Sequence, residues 1–198
     1  AGLSRGLGDV YKRQVYGEPE FCPIDEKHKL NPLNPYAQTK IIIEKILQDI
    51  AKADSEWSIA SLRYFNPIGA HKSGLIGDDP MSEVSSNLMP EMIKVVNGLK
   101  NYLEVFGDDY ETSDGTGIRD YIHIIDLSEA HVTALDYVNK NTGIDYFNIG
   151  TGKGVSVLEL IKTFEKVSGF KIPIKITKRR KGDCAICFAN PKKANDIL

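Results

Sequence analysis

Cysteine is scarce in this chain. Its three cysteines, Cys22, Cys184 and Cys187, in 198 residues are too few for a disulfide framework, and a reducing, cytoplasmic setting is the expectation. An excess of charge of one sign is also lacking. A formal net charge of −2 gives no general drive toward nucleic acid or an anionic membrane, so neither is expected as a partner. No apolar run approaches the roughly 20 residues that a membrane helix needs. The first residues do not have the form of a secretory signal, and there is no internal repeat or low-complexity tract. What is there is ordinary for a globular protein, 41% hydrophobic and 26% charged. The length suits one core, or part of a larger one.

Both ends read as cut. Residues 1–14, AGLSRGLGDVYKRQ, are rich in Gly and Arg without an apolar period. They resemble translated adaptor sequence, and a non-native segment is expected there. VYGEPE then begins sharply at Val15. At the other end the chain stops at Ile197-Leu198, inside a helix expected after Pro191. The chain is thus expected to be a fragment truncated at both ends, with residues 15–198 forming part of one domain.

Within that span, helical and extended patterns alternate. Asn34-Pro35 starts a helix, Asn as cap and Pro in the first turn; Ile42, Ile43, Ile46, Leu47 and Ile50 follow at helical spacing. Trp57 to Phe65 reads as a buried strand closed by Asn66-Pro67-Ile68-Gly69. Pro90 opens a second helix that Gly98 ends. Tyr102 to Phe106 is a short strand, and Gly107 to Gly117 a loop dense in Asp, Gly and Thr. Asp126-Leu127-Ser128-Glu129 is an acidic variant of the capping box and leads a helix to Val138. Tyr146 to Ile149 is a strand. Ser156 to Glu159 is a second capping box, and Gly169 ends its helix. Lys171 to Thr177 alternates, with Ile172, Ile174 and Ile176 on one face. Strands alternating with helices predict an α/β fold, a parallel sheet with a smaller second lobe.

Tyr36-Ala37-Gln38-Thr39-Lys40 places a phenol and an ammonium four residues apart at a helix start, on one face and about 5–6 Å apart at Cβ. The ammonium and the helix N-terminus both favour a phenolate there, and a phenol so placed can act as a general base. Taken alone, the pair also fits an accidental neighbour contact on a surface helix.

The order VYGE, NPYAQTK, RYFNPIGA, GTGIRDYIHI resembles the extended short-chain dehydrogenase/reductase superfamily, over nearly all of Val15 to Leu198. Four spaced motifs narrow it: Arg63-Tyr64-Phe65-Asn66-Pro67, Asn87-Leu88-Met89-Pro90, Gly115-Thr116-Gly117-Ile118-Arg119-Asp120-Tyr121-Ile122-His123 and Arg179-Arg180-Lys181-Gly182-Asp183 resemble the UDP-galactose (UDP-glucose) 4-epimerase family. The resemblance implies a Rossmann-like, doubly wound parallel sheet lacking its first strands, with a smaller α/β substrate lobe interleaved. It implies NAD as cofactor, a UDP-sugar as substrate, a homodimer, and a place in galactose metabolism. Tyr36 would be the catalytic base; it would take the proton of the sugar's 4-hydroxyl while C4 is transiently oxidised, and the 4-keto sugar would turn before reduction on its other face. Lys40 would hold the nicotinamide ribose and tune Tyr36. Tyr64 and Phe65 would lie near the nicotinamide.

For the substrate, the resemblance implies that Asn66 holds the sugar nucleotide, that Asn87 and Leu88 contact it, that Glu104, Val105 and Phe106 flank the uracil, that Arg119 and Arg180 clasp the diphosphate and that Asp183 binds the ribose. Paired guanidiniums suit a diphosphate because they make planar, bidentate contacts with phosphate oxygens. Phe106 also fits plain core packing, and KITKRRKGD also fits a solvated basic rim. Cys184-Ala185-Ile186-Cys187 lacks the second ligand pair that zinc wants, and no metal is expected. Cys187 matches a position that lines the pocket around the sugar's 2-substituent, where a small residue leaves room for an acetamido group, so UDP-GlcNAc and UDP-GalNAc are expected as further substrates. His123 reads as a buried, hydrogen-bonded histidine that supports the site.

Two departures stand out. No G-x-G-x-x-G occurs in the sequence, so the loop that cradles a dinucleotide pyrophosphate is missing from it. The family's catalytic Ser/Thr would sit four residues before Tyr16, where this chain has Lys12. As written, the chain is expected not to turn over. The alternatives are a related nucleotide-sugar dehydratase, decarboxylase or uronate epimerase, or a non-catalytic sugar-nucleotide-binding relative.

Overall fold

A computed structural model of the chain describes residues 11–77, 87–180 and 182–198. Ala1–Val10 of the suspected non-native segment, and Lys181 of the basic motif, lie outside the described residues. In chain order the elements are β1 (Tyr11–Lys12), a 3-10 turn (Arg13–Tyr16), α1 (Pro35–Ala53), β2 (Ser58–Tyr64), β3 (Asn66–Ile68), α2 (Leu88–Val96), β4 (Leu103–Phe106), β5 (Ile118–Arg119), β6 (Tyr121–His123), α3 (Ile124–Val138), β7 (Gly143–Ile149), β8 (Val155–Ser156), α4 (Val157–Ser168), β9 (Ile174–Thr177), β10 (Ile186–Cys187) and α5 (Lys192–Ile197).

The main sheet is parallel, in the order β1-β2-β7, with Ser58 paired to Gly143 through Tyr64 to Ile149. Tyr11 and Lys12 pair with Arg63 and Tyr64. Successive side chains of β2 alternate between two helices. Ser61 and Arg63 bond Glu44 of α1, whereas Leu62 and Tyr64 pack with Phe147 and with Leu127 and Ala134 of α3. Helices on both faces make the sheet doubly wound, as the family resemblance implies. Complete burial of one large side chain there, such as Phe147, is worth about 1.5–3 kcal/mol.

The strand expected to close at Asn66-Pro67 instead changes sheets. The Phe65 N–H donates to Ile149 O of the main sheet at 3.0 Å, and the next N–H, of Asn66, donates to Asp120 O at 2.9 Å. Asn66 to Ile68 then pair in parallel with Tyr121 to His123. Two smaller assemblies complete the fold: β4 with β9, in parallel, and β10-β5-β8, with β8 antiparallel. Met92, Leu103, Val105, Ile161 and Ile172 form the core of this second lobe.

Several local readings shift. Asn34 caps α1, its side chain accepting from the Ala37 N–H at 2.8 Å. The buried face of that helix is nevertheless Ala37, Lys40, Ile41 and Glu44, and Ile42 and Ile46 are 46% and 52% exposed. The isoleucine run hides this because Glu44 sits on the inner face, where Arg63 neutralises it. α2 begins at Leu88 with Asn87 as cap residue, two residues before Pro90, which the open N–H of a first turn tolerates. α3 begins at Ile124, not Asp126: the His123 Nδ1 accepts from the Ile125 N–H at 3.1 Å and replaces the expected cap. His123 is therefore an exposed helix cap and not a buried histidine. The capping box at Ser156 and Glu159 and the left-handed Gly169 at the end of α4 match expectation. In β9, Ile174 and Ile176 share a face but stay partly exposed, because among the described residues that strand pairs with β4 alone. No helix among the described residues is long and apolar enough to cross a membrane.

Candidate functional site

Ligands in open α/β sheets bind beyond the carboxyl ends of the parallel strands. There, from Asn66 onward, a cavity of about 1540 Å³ opens between β3, α2, β4, β5 and the segment after β9. Asn66 reaches it from the strand that leaves the main sheet. Asn87 and Leu88 reach it from the start of α2, and Glu104, Val105 and Phe106 from β4. In β4, alternation sends Leu103 and Val105 into the core and leaves Glu104 and Phe106 on the other face. Arg119 comes from β5, and Arg180 and Asp183 from the turn before β10. These residues, scattered from Asn66 to Asp183 in the sequence, share one cavity wall.

The charges within it are ordered. The Arg119 Nη1 donates to the carbonyls of Ile118 at 2.9 Å and Ala185 at 3.3 Å, and its Nη2 lies 3.8 Å from the Asp183 carboxylate. Gly117 makes room for it: a Cβ there would fall 2.9 Å from Nη1. The Arg180 guanidinium lies over the Phe106 ring, 3.7 Å from its centroid. Phe106 belongs to none of the buried clusters, so it acts as a cavity face and not as core. The basic stretch is likewise not an evenly solvated rim, because the Arg179 Nε donates to Asp109 at 2.7 Å. Two guanidiniums, a carboxylate and a half-buried ring at the cavity wall together suit an anionic ligand that also carries hydroxyls and an aromatic ring.

Behind this wall, Asp120 is fully buried. Its carboxylate accepts from the N–H groups of Thr151 at 2.8 Å, Gly152 at 3.0 Å and Ala189 at 3.1 Å. It ties the strand that carries Arg119 to two distant loops. Sequence reasoning assigned it nothing, although its place beside Arg119 in the motif was a signal.

The base candidates stand apart. Tyr36 and Lys40 do not line the cavity. Tyr36 is 43% exposed at the start of α1, and the buried Lys40 brings its Nζ to 5.4 Å from the Tyr36 ring centroid. Tyr64 and Phe65, expected beside a cofactor, are core residues here: Tyr64 packs with Leu62, Ile122 and Phe147, and Phe65 with Val15, Ile41 and Cys187. Alternation turns them inward on opposite sides of the strand.

Also missed was a buried polar network beneath the Tyr36 helix. Arg63 donates through Nε and Nη2 to both Glu44 oxygens, at 2.8 and 2.6 Å, and through Nη1 to the Tyr16 hydroxyl at 3.0 Å. The Tyr16 hydroxyl in turn donates to Asn148 Oδ1 at 2.5 Å. Burial, opposed by Arg63, pushes the Tyr16 phenol up to about 12, so it remains a donor. The signal was an arginine inside the apolar run SIASLRYF.

Cys187 corrects an expectation. It is 1% exposed, clusters with Tyr16, Ile24, Ile41, Phe65 and Cys184, and does not line the cavity. It pairs one strand over from Arg119, so its small size serves core packing. Cys187→Tyr is expected to lower stability by about 1–3 kcal/mol through overpacking, measured by denaturant unfolding. An unchanged midpoint would return Cys187 to the cavity wall. Among the described residues, no group of three or more His, Cys, Asp or Glu is placed to hold a metal ion.

Known proteins share this fold. The NAD dependent epimerase/dehydratase family matches residues 13–150. The UDP-glucose 4-epimerase of Bacillus subtilis (strain 168) is 56% identical over 184 residues, covering 93% of this chain and 54% of that protein. The crystal structure of UDP-glucose-4-epimerase from Stenotrophomonas maltophila with bound NAD and formylated UDP-arabinopyranose superposes with a TM-score of 0.91 at 45% identity, over 95% of this chain and 56% of that one. That of the Bifidobacterium longum enzyme in complex with NAD+ and UDP gives 0.89 at 46% identity, over the same shares. The chain spans about half the length of the curated relatives it matches.

Proposed function

Because the chain belongs to the NAD dependent epimerase/dehydratase family, we propose that it carries the sugar-nucleotide site and the base of a UDP-glucose 4-epimerase, which interconverts UDP-galactose and UDP-glucose. The observation that carries this reading is the gathering of Asn66, Asn87, Phe106, Arg119, Arg180 and Asp183 from separate motifs onto one cavity. Arg119 and Arg180 clasp the diphosphate, Asp183 accepts from the ribose hydroxyls, Phe106 offers its ring to the uracil, and Asn66 holds the sugar. Glu104, Val105, Asn87 and Leu88 complete the walls.

The Tyr36–Lys40 pair, side by side at the start of α1, fits the nicotinamide ribose end of NAD, and these two residues would hold it. The sequence carries no G-x-G-x-x-G for the pyrophosphate end. When bound, NAD supplies the acceptor for the C4 hydride. Tyr36, deprotonated as the base, takes the proton of the 4-hydroxyl on its oxygen and becomes a neutral phenol, with Lys40 beside it as counter-charge before the transfer. The apolar, exposed Ile42 and Ile46 on the same helix support a homodimer through α1. The scarcity of cysteine supports a cytoplasmic setting.

Conversion of UDP-galactose to UDP-glucose by the full-length protein, with no change in sugar mass, is the expected result. A change of mass would assign dehydration or decarboxylation in its place, and no turnover of any UDP-sugar would sink the enzymatic reading. Within the site, Arg180→Ala is expected to weaken UDP binding by about 1.5–3 kcal/mol, as loss of a charged hydrogen bond does. Lys178→Ala, on the exposed stretch before it, should cost less than about 1 kcal/mol. Equal losses by titration calorimetry would point to a merely basic rim.

A further inference from the structure

A buried hydroxyl without a hydrogen-bond partner is rare in a folded protein and calls for an explanation. Among the described residues, the Tyr110 hydroxyl is one such group. Tyr110 is 6% exposed and lines the cavity beside Arg119, Arg180 and Asp183. Its position is fixed by its surroundings. The loop closes through the Tyr110 N–H on Gly115 O at 2.9 Å. Gly107, at φ +83°, lets the ring in, because a Cβ there would come within 2.7 Å of Tyr110 Cε2. Arg179, pinned by Asp109, covers the ring at 4.2 Å from its centroid. Burial raises the phenol's pKa and Asp183 raises it further, against the pull of Arg119 and Arg179, so the group is a neutral donor. The neighbouring Arg119–Asp183 pair is long, at 3.8 Å.

Resting on the UDP-sugar reading above, we propose that Tyr110 is a further binding residue of the site, its hydroxyl donating to a diphosphate oxygen clasped by Arg119 and Arg180. Deleting an unmet buried donor is close to neutral for the unliganded fold, whereas deleting one that a ligand satisfies costs affinity. The orphan state and the ligand contact therefore leave opposite signatures in a single variant.

The test is Tyr110→Phe in the full-length protein, with UDP and uridine as probes. The expected result is an unliganded melting temperature unchanged or raised, UDP affinity lower by on the order of 10-fold, and uridine affinity unchanged. UDP affinity equal to that of the unmodified protein would overturn the proposal. So would a clear fall in the unliganded melting temperature, which would mean that the hydroxyl already has a partner in the free fold. An equal loss for uridine would put the contact on the nucleoside and overturn the assignment to the diphosphate. Failure of the unmodified protein to bind UDP would instead remove the UDP-sugar reading, and this inference with it.

Discussion

Tyr36→Phe in the full-length protein is expected to lower UDP-galactose turnover by roughly 10²–10⁴-fold, the usual contribution of a positioned general acid–base group, while UDP affinity stays unchanged. The two halves of that expectation come from different places in the structure. The phenol stands at the first turn of α1, where Asn34 caps the helix. Lys40 lies one turn on, its Nζ 5.4 Å from the ring centroid. Tyr36 is not among the residues lining the cavity that holds the arginines and Asp183, so removing its oxygen leaves that cavity wall in place. Steady-state kinetics beside titration calorimetry with UDP separates the two. Wild-type turnover would take Tyr36 out of the chemistry, and a matching loss of UDP affinity would show that it acts through the substrate pocket.

The second large effect is on stability. Arg63→Leu is expected to cost about 3–5 kcal/mol, because it leaves the Glu44 carboxylate buried without its partner. Both side chains are almost wholly enclosed and joined by two short hydrogen bonds. Replacing both, as Glu44→Leu with Arg63→Leu, should recover much of that loss, since a buried pair is often no better than apolar residues of similar volume. Urea unfolding of the single and double variants measures the difference. If the double variant is as unstable as the sum of the two singles, the pair is not coupled in the way its geometry implies. The same network holds α1 against β2, so the single variant is also expected to reduce turnover beyond its effect on folding.

Much of the fold could be read in advance, and the exceptions have physical causes. Caps were legible where a side chain competes locally for the open N–H groups of a first turn: Asn34 and the Ser156–Glu159 box needed only their neighbours. His123 was missed as a cap because the acidic run after it offered the commoner chemistry. The α1 face was misread because apolar periodicity assumes that the inner face is apolar. Here that face carries Lys40 and Glu44, and only the distant Arg63 makes Glu44 tolerable there. Residues of the cavity were found through motifs, since Arg119 and Arg180 are more than half the lobe apart in sequence and no local pattern joins them. Tyr110 lay in a loop whose Gly and Asp content announced a turn and nothing more. Its meaning depends on its hydroxyl having no hydrogen-bond partner among the described residues, which only three dimensions reveal.

The passage from β2 to β3 bears on how such a protein can be recombined. One continuous strand serves both sheets, with only Phe65 between the last main-sheet pair and the first pair of the other lobe. The chain then returns to the main sheet at β7, and Asp120 binds Thr151, Gly152 and Ala189 across the gap. The two lobes are thus stitched together at several crossings and are not beads on a string. A chimera that swaps the second lobe as a cassette has no single seam to cut, because any one breakpoint severs pairing on both sides. Exchange of specificity between relatives has to proceed residue by residue along the cavity wall.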